Sequence, residues 1–313
     1  MVGSWLTKAL LRGGAFVVGL IRDADAQSEL FRSRTIEEIA TVNGRLEEFT
    51  TVERAISEHA VNVVFHLGAQ TIVPTAHRSP LLTFESNVRG TYHVLEACRV
   101  HRDLVQGIVI ASTDKVYGNS DEPSEEQMPL RSDHPYEVSK MCLELIAKSY
   151  VQTYGLPLAL TRCGNIYGGG DLNWSRIVPG TIRSLLLGEQ PIIRSNGRLI
   201  RDYLYIEDAV SAYMTLAEQL HRPEIKGEAF NFSAESPLNV LELVALIQRL
   251  MQCTHIEPVI LNQADGELTV QSLSARRARQ MLGWNPKWSL EDGLSDTIAW
   301  YRAFVTTGVR SRS

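Results

Sequence analysis

Short apolar segments alternate with helical segments through the first half of the sequence, and this alternation limits the folds that the chain can adopt. Four apolar runs predict buried strands: Ala15–Ile21, Val61–Leu67, Gln106–Ala111 and Leu158–Arg162. Between them, apolar residues recur with helical spacing, which predicts helices at Thr51–Glu58, Leu82–Val100 and Tyr136–Tyr154. Because strands that alternate with helices form βαβ units, the sequence predicts an α/β protein with a parallel sheet.

The start of the sequence departs from this pattern. Val2, Leu6 and Leu10 recur with helical spacing, so a helix comes first and the run at Ala15–Ile21 reads as a second strand. In a dinucleotide-binding βαβ unit, a strand and a glycine-rich turn precede that helix and bring the backbone close to a pyrophosphate. Only Gly3 stands where the last of those glycines is expected. We therefore expect the first strand and most of the turn to be missing, which leaves the edges of the neighbouring strands unpaired.

The alternation loosens after Tyr167, where a glycine-rich segment is followed by shorter elements. Helices are predicted at Ile182–Leu187, Val240–Met251, 274–284 and Asp292–Phe304, and strands at Pro191–Ile193, Tyr203–Ile206 and Ala229–Ser233. This part predicts a smaller C-terminal α+β domain. We expect residues 1–168 and about 207–235 to form the larger domain, and about 169–206 and 236–313 to form the smaller one.

Composition and charge exclude several classes of protein. The 313 residues include 31 Lys and Arg against 36 Asp and Glu, a net charge of −5, which argues against a surface that neutralises nucleic-acid phosphates. The apolar run at Ala15–Ile21 is shorter than the roughly 18–20 residues of a membrane span, and we expect no signal peptide. The four cysteines are far apart, so we expect no metal site, no disulfide framework and a reducing, cytoplasmic compartment.

The sequence Tyr136-Glu-Val-Ser-Lys140 is the strongest local motif. Residues four apart share one face of a helix, so the Tyr136 hydroxyl and the Lys140 ammonium can point into the same cleft. A neighbouring ammonium favours the phenolate, and we expect it to lower the pKa of Tyr136. Tyr136 could then exchange a proton with a sugar hydroxyl while a hydride moves to a nicotinamide.

A second polar motif follows the strand at Gln106–Ala111, in the sequence Ser112-Thr113-Asp114-Lys115. Catalytic groups of parallel sheets lie just beyond the carboxyl ends of the strands. Thr113 can form a hydrogen bond with the reacting oxygen, and Asp114 and Lys115 provide an adjacent acid and base. We therefore expect this segment and the Tyr136–Lys140 motif to face the same site.

Taken together, these motifs resemble those of extended short-chain dehydrogenases/reductases that act on nucleotide sugars, and the resemblance covers nearly all of the chain. The segments that carry it are VFHLGAQ (64–70), SNVRGTYHVLEAC (86–98), STDKVYG (112–118), YEVSK (136–140), TRCGNIYGGGD (161–171), RIVPGTI (176–182) and RDYLYIEDAV (201–210). Among subfamilies, the chain is most similar to the CDP-glucose 4,6-dehydratases and their relatives. Related dTDP-glucose dehydratases carry Asp-Glu where this chain has Asp114-Lys115.

The resemblance implies a Rossmann-type, doubly wound parallel sheet, with the larger domain binding the dinucleotide and the smaller domain binding the nucleotide sugar. It also implies a 4,6-dehydratase that forms a 4-keto-6-deoxy sugar nucleotide by internal hydride transfer. The catalytic residues that it implies are Thr113, Asp114, Lys115, Tyr136 and Lys140. The cofactor-binding residues that it implies are Gly3, Arg22, Asp23, Leu67, Gly68, Ala69, Gln70, Asn87, Ser112, Tyr136 and Lys140. Asp23 favours the free ribose hydroxyls of NAD and Arg22 can accept the extra phosphate of NADP, so both cofactors stay open, with NAD preferred.

For the substrate, a nucleotide-diphosphate sugar, the resemblance implies contacts from Asn165 and Arg201, with Arg176 and Arg277 as weaker candidates; an arginine can hold a diphosphate with two hydrogen bonds. It also implies a homodimer in which the helices at 82–100 and 136–154 pair with their copies. Two alternatives stay open. A 4-epimerase or decarboxylase of the same family needs Tyr136 and Lys140 without the Asp114–Lys115 pair, and a non-catalytic member would have impaired cofactor binding.

Overall fold

The computed structural model describes the backbone of residues 1–263 and 268–310, and the side chains of 1–263 and 268–306. The helices are α1 (Val2–Arg12), α2 (Glu29–Arg32), α3 (Phe49–Glu58), α4 (Val73–Arg78), α5 (Pro80–Phe84), α6 (Gly90–Val100), α7 (Pro135–Tyr154), α8 (Ile177–Leu186), α9 (Ile206–Gln219), α10 (Val240–Met251) and α11 (Leu290–Arg310). The strands are β1 (Val18–Ile21), β2 (Ala40–Asn43), β3 (Val63–His66), β4 (Gly107–Ala111), β5 (Leu158–Cys163), β6 (Asn165–Tyr167), β7 (Ile192–Ile193), β8 (Ile200–Arg201), β9 (Tyr203–Tyr205), β10 (Ala229–Phe232), β11 (Leu238–Asn239), β12 (Val259–Ile260) and β13 (Val270–Gln271).

The central sheet is parallel and has the strand order β10-β5-β4-β3. A separate parallel pair, β1 with β2, completes the strands of the first half. Within the described residues, β1 pairs only with β2 and β3 pairs only with β4. The unpaired strand edges expected beside the position of a first strand are therefore present. Parallel pairing with helical crossovers confirms the α/β, doubly wound fold class.

Apolar residues on the two faces of the central sheet fill two separate cores, because successive side chains of a strand point to opposite faces. On β4, Val109 packs toward α1 and α9, whereas Ile108 and Ile110 pack toward α3, α6 and α7. All three side chains are almost fully buried. Helices thus cover both faces of the sheet. Polar side chains can therefore come together only at the ends of the strands.

The predicted helix at Leu82–Val100 is present but is divided into three parts. Helix α5 continues into a π-helical segment at Glu85–Arg89, and α6 follows from Gly90. A π-helical turn changes the direction of the side chains on either side of it and is often found at functional sites. Here the π-helical segment carries Asn87, which is almost fully buried.

The C-terminal part forms three small sheets: β6 with β9, β7 with β12, and β8 between β11 and β13. Its own core contains side chains of α8, α10 and α11 together with Tyr167, Tyr203 and Tyr205. The structure thus contains the smaller α+β part that was predicted, while the residue boundaries between the two domains stay a prediction. No helix in the described part of the chain combines the length and apolar character that crossing a bilayer requires.

Candidate active site

A cavity of about 1090 Å³ lies at the carboxyl ends of β3, β4 and β5. It lies between the central sheet and the small C-terminal sheets. Of the predicted site residues, those that line it are Gly3, Leu67, Gly68, Ala69, Ser112, Thr113, Asp114, Lys115, Tyr136, Lys140, Asn165, Arg176 and Arg201. The structure therefore brings all five predicted catalytic residues to one cavity, although they come from two separate segments of the chain.

Helix α7 presents Tyr136 and Lys140 to this cavity from its first two turns. Pro135 starts the helix, where the missing backbone N–H of proline removes no hydrogen bond. Tyr136 and Lys140 are 7% and 4% exposed and share one face of the helix, as the i, i+4 spacing predicts. The Lys140 ammonium donates a hydrogen bond of 2.8 Å to the Ala111 carbonyl, which fixes the helix against the end of β4.

Burial controls the charge of Lys140. Desolvation lowers the pKa of Lys140 to about 8, while the Glu144 carboxylate, one turn further along α7, raises it. The neighbouring His66 has its pKa lowered to about 3 by burial and by the Lys140 charge, and its Nε2 lies 2.8 Å from the Thr91 hydroxyl. His66 is therefore neutral at physiological pH, and Lys140 keeps its proton below pH 8.

The expectation that Lys140 lowers the pKa of Tyr136 is wrong for the protein described here. Burial raises the pKa of Tyr136 to about 12; a hydrogen bond with Thr113 opposes this rise, and the Asp114 and Glu137 carboxyl groups add to it. The physical reason is burial, which the Lys140 ammonium does not offset because it is bound to the Ala111 carbonyl. Tyr136 thus holds its proton and is tied to the Thr113 side of the cavity.

The segment after β4 turns sharply and presents Thr113, Asp114 and Lys115 to the cavity. The Thr113 hydroxyl accepts a hydrogen bond of 3.3 Å from the Lys115 backbone N–H and so caps the 3-10 turn at Asp114–Tyr117. Gly118 ends this turn with φ of 72°, and a Cβ there would lie 2.2 Å from the Arg131 carbonyl oxygen. Only glycine permits this conformation and this close approach, so Gly118 helps to fix the direction of the catalytic segment.

Asp114 and Lys115 are held by the same side chain from the C-terminal part of the chain. Lys115 Nζ donates a hydrogen bond of 3.2 Å to Gln271 Oε1, and Gln271 Nε2 lies 3.5 Å from Asp114 Oδ2. Gln271 is on β13, in register with Arg201 of β8. Desolvation by complete burial raises the pKa of Asp114, although Lys115, Thr113 and Arg201 oppose the rise. Asp114 is therefore suited to carry a proton.

A buried ion pair behind the cavity wall stabilises the two segments that carry the predicted catalytic residues. Arg162 of β5 binds Glu144 of α7 through Nε at 2.9 Å and through Nη2 at 2.5 Å, and both side chains are about 6% exposed. The Ser112 hydroxyl donates a hydrogen bond to the same carboxylate. Arg162 also donates to the Tyr117 hydroxyl at 2.6 Å. This network joins the end of β4, the 3-10 turn and α7, so it fixes the positions of the groups that face the cavity.

The cofactor residues predicted from the resemblance fall into two groups. Asn87 and Gln70 lie behind the cavity wall, where the Asn87 side chain accepts from the Gln70 backbone N–H at 2.7 Å and donates to its carbonyl at 3.0 Å. They hold the backbone of the segment that contains Gly68 and Ala69. A Cβ at Gly3 would meet nothing nearer than Leu67 Cδ1 at 3.9 Å, so the space beside this helix start is open.

The cavity residues fit the nicotinamide half of a dinucleotide, because Gly3 leaves open space in the same cavity that is lined by the hydrogen-bonding groups of Tyr136, Lys140 and Ser112. Arg22 and Asp23 are not part of the cavity wall in the described chain. They form an ion pair of 2.5 Å with each other at the surface, and their side chains are 58% and 70% exposed. The prediction that they contact the cofactor is therefore not supported by the cavity itself.

The predicted substrate residues also fall into two groups, those that line the cavity and one that does not. Arg201, Arg176 and Asn165 line the cavity, and Arg176 forms an ion pair of 3.0 Å with Asp171. Arg277 does not line it, and this prediction is corrected by the structure. The Arg277 guanidinium binds the carboxylate of Glu228 at 2.7 Å and lies over the ring of Phe230, on the far side of β10.

Sequence reasoning missed several side chains that shape the site, among them Glu137, Glu144, Arg162 and Gln271. Glu144 follows Lys140 at the same i, i+4 spacing that identified Lys140, so the sequence did contain a signal for it. Gln271 is separated from Lys115 by more than 150 residues. No local pattern could have indicated this contact.

A Rossmann-type sheet with a tyrosine–lysine pair and a threonine at its carboxyl edge defines an oxidoreductase-type site of the short-chain dehydrogenase/reductase class. Comparison with known proteins narrows this class: the profile of the GDP-mannose 4,6-dehydratase family matches residues 1–297. The chain belongs to that family, which consists of NAD-dependent enzymes that act on nucleotide sugars. The predicted family, enzyme class and type of cofactor are thereby confirmed.

Individual relatives agree with this assignment. The chain is 28% identical to a CDP-glucose 4,6-dehydratase of Salmonella typhimurium, over 97% of this chain and 88% of the relative. Among solved structures, a UDP-glucose 4-epimerase of Thermotoga maritima with UDP-glucose has a TM-score of 0.87 at 26% identity, covering 97% and 96% of the two chains. A dTDP-glucose 4,6-dehydratase of Bacillus anthracis in complex with NAD has a TM-score of 0.85 at 24% identity, covering 97% and 94%.

These two structures share one fold but carry out different reactions. Their TM-scores to this chain differ by only 0.02. Similarity of fold therefore does not separate a dehydratase from an epimerase, and the side chains in the cavity must do so.

Proposed function

We propose that this protein converts a nucleotide-diphosphate hexose to its 4-keto-6-deoxy product, with NAD as the resident cofactor. The observation that carries the proposal is the presence of Asp114 and Lys115 in the same cavity as Thr113, Tyr136 and Lys140. Oxidation at carbon 4 requires the tyrosine and the lysine. Elimination of water across carbons 5 and 6 requires an additional acid and base, and the Asp114–Lys115 pair supplies both.

Tyr136 is the group that exchanges the proton of the 4-hydroxyl. Its hydrogen bond with Thr113 indicates that both hydroxyls face the same reacting oxygen. The chemistry that NAD supplies when bound is temporary storage of the hydride that leaves carbon 4 and returns to carbon 6. In the structure burial holds the pKa of Tyr136 near 12 and the Lys140 ammonium is bound to the Ala111 carbonyl. Formation of the phenolate that accepts the proton therefore requires Lys140 to turn toward Tyr136 when cofactor and substrate bind.

Asp114 is proposed to protonate the departing 6-hydroxyl. A general acid must carry its proton at the working pH, and burial raises the pKa of Asp114 in that direction. Lys115 is proposed to remove the proton from carbon 5, which is acidic once carbon 4 is a ketone. The amino group must be neutral to accept that proton, and its hydrogen bond to Gln271 holds it in position without supplying a charge that would favour the ammonium.

The Asp114–Lys115 pair favours the dehydratase reaction over the 4-epimerase and decarboxylase alternatives. Those reactions need no acid at carbon 6, so a buried carboxyl group with a raised pKa would have no task in them. The non-catalytic alternative is disfavoured by the network around Arg162 and Glu144, which holds the catalytic segments in place.

The test begins with the substrate. The purified protein, supplied with NAD, is incubated separately with CDP-glucose, GDP-mannose, dTDP-glucose and UDP-glucose, and the products are identified by NMR. The similarity to a CDP-glucose 4,6-dehydratase makes CDP-glucose the first choice. With the substrate that is turned over, Asp114→Asn should lower formation of the 4-keto-6-deoxy product by about 10²–10⁴-fold, because the proton donor is lost at constant size.

Binding of the nucleotide sugar to Asp114→Asn, measured by calorimetry, should stay close to that of the unchanged protein. The exposed Asp121 provides a matched control, since Asp121→Asn removes a carboxylate of the neighbouring loop outside the cavity. Unchanged turnover in Asp114→Asn would contradict the role of Asp114 as the acid.

We also propose a homodimer. Large apolar side chains are exposed on one side of the molecule, along α5, α6 and α7, and are Leu81, Leu82, Tyr92, Val100, Leu145 and Tyr154. Exposed large apolar side chains on neighbouring helices support an interface with another chain. Light scattering at micromolar concentration should give twice the mass of the 313-residue chain; a monomeric mass would contradict the proposal.

The proposed compartment is the cytoplasm. All four cysteines are thiols in the structure, and Cys98 and Cys163 are buried. Unpaired buried thiols are typical of proteins from a reducing compartment.

A further inference from the structure

Glu137 differs from the other acidic residues around the cavity. It lines the cavity directly after Tyr136 and is only 6% exposed. Among the residues that the structure describes, its Oε2 atom is buried and has no hydrogen-bond partner. On the same helix, the Glu144 carboxylate is bound by Ser112 and Arg162. The structure thus satisfies one buried glutamate of α7 and leaves an oxygen of the other unsatisfied.

Such an oxygen is costly, because a buried polar atom that loses its water and gains no donor destabilises the folded state. Most buried side-chain polar atoms in proteins do find a partner. An exception calls for a physical explanation, and one such explanation is a functional site at which the missing partner arrives with a ligand. The position of Glu137 on the cavity wall is consistent with such a role.

The direction of Glu137 follows from the helix. Glu137 and Glu144 are seven residues apart, which brings them to nearly the same angle around the helix axis at about 100° per residue. Glu144 faces the ends of β4 and β5, where it binds Ser112 and Arg162. Glu137 therefore lies on the side of α7 that faces these strand ends, two turns nearer the start of the helix.

The opposite side of α7 faces the segment of Gly68, Ala69 and Gln70 that was predicted to contact the cofactor (the cofactor segment). The Ser139 hydroxyl accepts a hydrogen bond of 2.8 Å from Asn87, the residue that holds the Gln70 backbone. Ser139 is about 160° from Glu137 around the axis, taking 100° per residue. Glu137 thus faces away from the cofactor segment and toward the part of the cavity that contains Asp114.

Glu137 is also close to the reacting groups. Its carboxyl group and that of Asp114 both act on the pKa of Tyr136. In the proposed function, the Tyr136 hydroxyl meets the 4-hydroxyl of the sugar, while Asp114 and Lys115 meet carbons 6 and 5. Carbon 3 is the remaining ring neighbour of carbon 4, and its hydroxyl group has no partner among these residues.

We propose that the Glu137 carboxyl group accepts a hydrogen bond from the 3-hydroxyl of the hexose and so selects substrates that carry a free hydroxyl there. This inference rests on the proposed function. A buried carboxyl oxygen is a strong acceptor for a sugar hydroxyl, and the bond replaces the water that both groups lose on binding. No proton is transferred, so Glu137 binds the substrate and takes no part in the bond changes.

The test compares two substitutions at this position. Glu137→Met removes both carboxyl oxygens and keeps an unbranched side chain of similar length, whereas Glu137→Gln keeps one oxygen as an acceptor. The control is Glu58→Gln, at an exposed position on α3 where the side chain is 60% exposed. Each protein is assayed with the nucleotide hexose that the unchanged protein turns over and with the 3-deoxy analogue of that substrate.

For the unchanged protein, loss of the 3-hydroxyl should lower kcat/KM by about 10- to 100-fold, the usual range for one buried hydrogen bond to a carboxylate. Glu137→Met should show a similar loss with the parent substrate, mainly through KM, and should no longer distinguish the parent from the analogue. Glu137→Gln should lie between the two, and Glu58→Gln should match the unchanged protein.

Two results of these assays would overturn the inference. The first is unchanged discrimination against the 3-deoxy analogue in Glu137→Met. The second is a fall in kcat at constant KM together with loss of the acidic limb of the pH profile, which would make Glu137 a proton acceptor. If the unchanged protein turns over none of the nucleotide sugars, the proposed function itself fails; turnover with unaltered selectivity in Glu137→Met removes the inference alone.

Thermal unfolding separates a binding role from a structural one. Because Glu137 Oε2 has no donor among the described residues, Glu137→Met should leave the Tm of the ligand-free protein unchanged or raise it. A Tm that falls by several degrees would show that the carboxyl group supports the fold, and would contradict the proposal.

Discussion

The wall of the cavity and the β1–β2 end of the molecule differ in how far their ionisable side chains are exposed to water. Around the cavity, Asp114, Lys140 and Glu144 are buried, and burial raises the pKa of Asp114 and lowers that of Lys140. Near β1, Arg22 and Asp23 are exposed and are paired with each other. Reaction chemistry in this fold thus depends on residues removed from water, while the expected choice between cofactors depends on residues that remain in water.

The difference has a physical origin in the sheet. Strands β3, β4 and β5 are paired side by side, and helices cover both of their faces, so their ends form a closed wall. Strand β1 pairs only with β2 among the described strands. Charges on the paired part are shielded from solvent and interact strongly, whereas charges at the β1–β2 end are screened by water and salt.

The largest effect that tests this comparison is expected for Glu144→Gln. Removing the charge of Glu144 leaves Arg162 buried without its counterion, which should lower the free energy of unfolding by roughly 3–5 kcal/mol. Glu144 also raises the pKa of Lys140, so its loss lowers that pKa below about 8. Lys140 then loses its proton at lower pH, and the alkaline limb of the pH profile of kcat should move to lower pH.

Urea unfolding and the pH profile of kcat measure both effects. Glu291→Gln is the matched control, because Glu291 binds Arg249 at the same 2.5 Å but with side chains that are mostly exposed. Its free energy of unfolding should change by less than about 1 kcal/mol. Equal changes in the two variants would show that burial does not distinguish the two regions.

A smaller effect is expected at the exposed end, for Asp23→Ala. Removing this carboxylate frees Arg22 from its ion pair and removes a charge that would repel a ribose phosphate. The ratio of the Kd for NADP to the Kd for NAD should fall by up to about tenfold, a modest change because both charges are screened by water. Titration of both cofactors against tryptophan fluorescence measures the ratio.

The control for this titration is Asp103→Ala, at another exposed position beyond α6. It should leave the ratio of the two dissociation constants unchanged. If Asp23→Ala behaves like this control, Asp23 does not contact the cofactor, and the cavity wall alone accounts for its binding.

Much of the fold was predictable because its signals are local. The apolar runs gave β3, β4 and β5 to within two residues at each end, and the whole of α10 was predicted with its bounds. Strand β2 was missed, since Ala40–Asn43 is short and only Val42 is buried. Helix α9 was also missed, although it contributes Tyr213 and Leu216 to the core behind β4 and β5.

Site residues were predictable only where their spacing along a helix, or their position at the end of a strand, places them together. The i, i+4 spacing placed Tyr136 and Lys140 together, and the end of a strand placed Thr113 and Asp114 beside them. The direction of the Tyr136 pKa could not be predicted, because it depends on burial and on the hydrogen bond of Lys140 with Ala111. Arg277 was misplaced because Glu228, its partner, comes from a distant segment.

Gln271 has a consequence for how an active protein is produced. Its side chain reaches Lys115 and Asp114 from β13, which enters the fold only after most of the chain has been synthesised. The N-terminal part of the chain contains the proposed acid and base but not the amide that contacts both. These contacts are therefore completed late in biosynthesis, and an unfinished chain lacks them until the C-terminal part has docked.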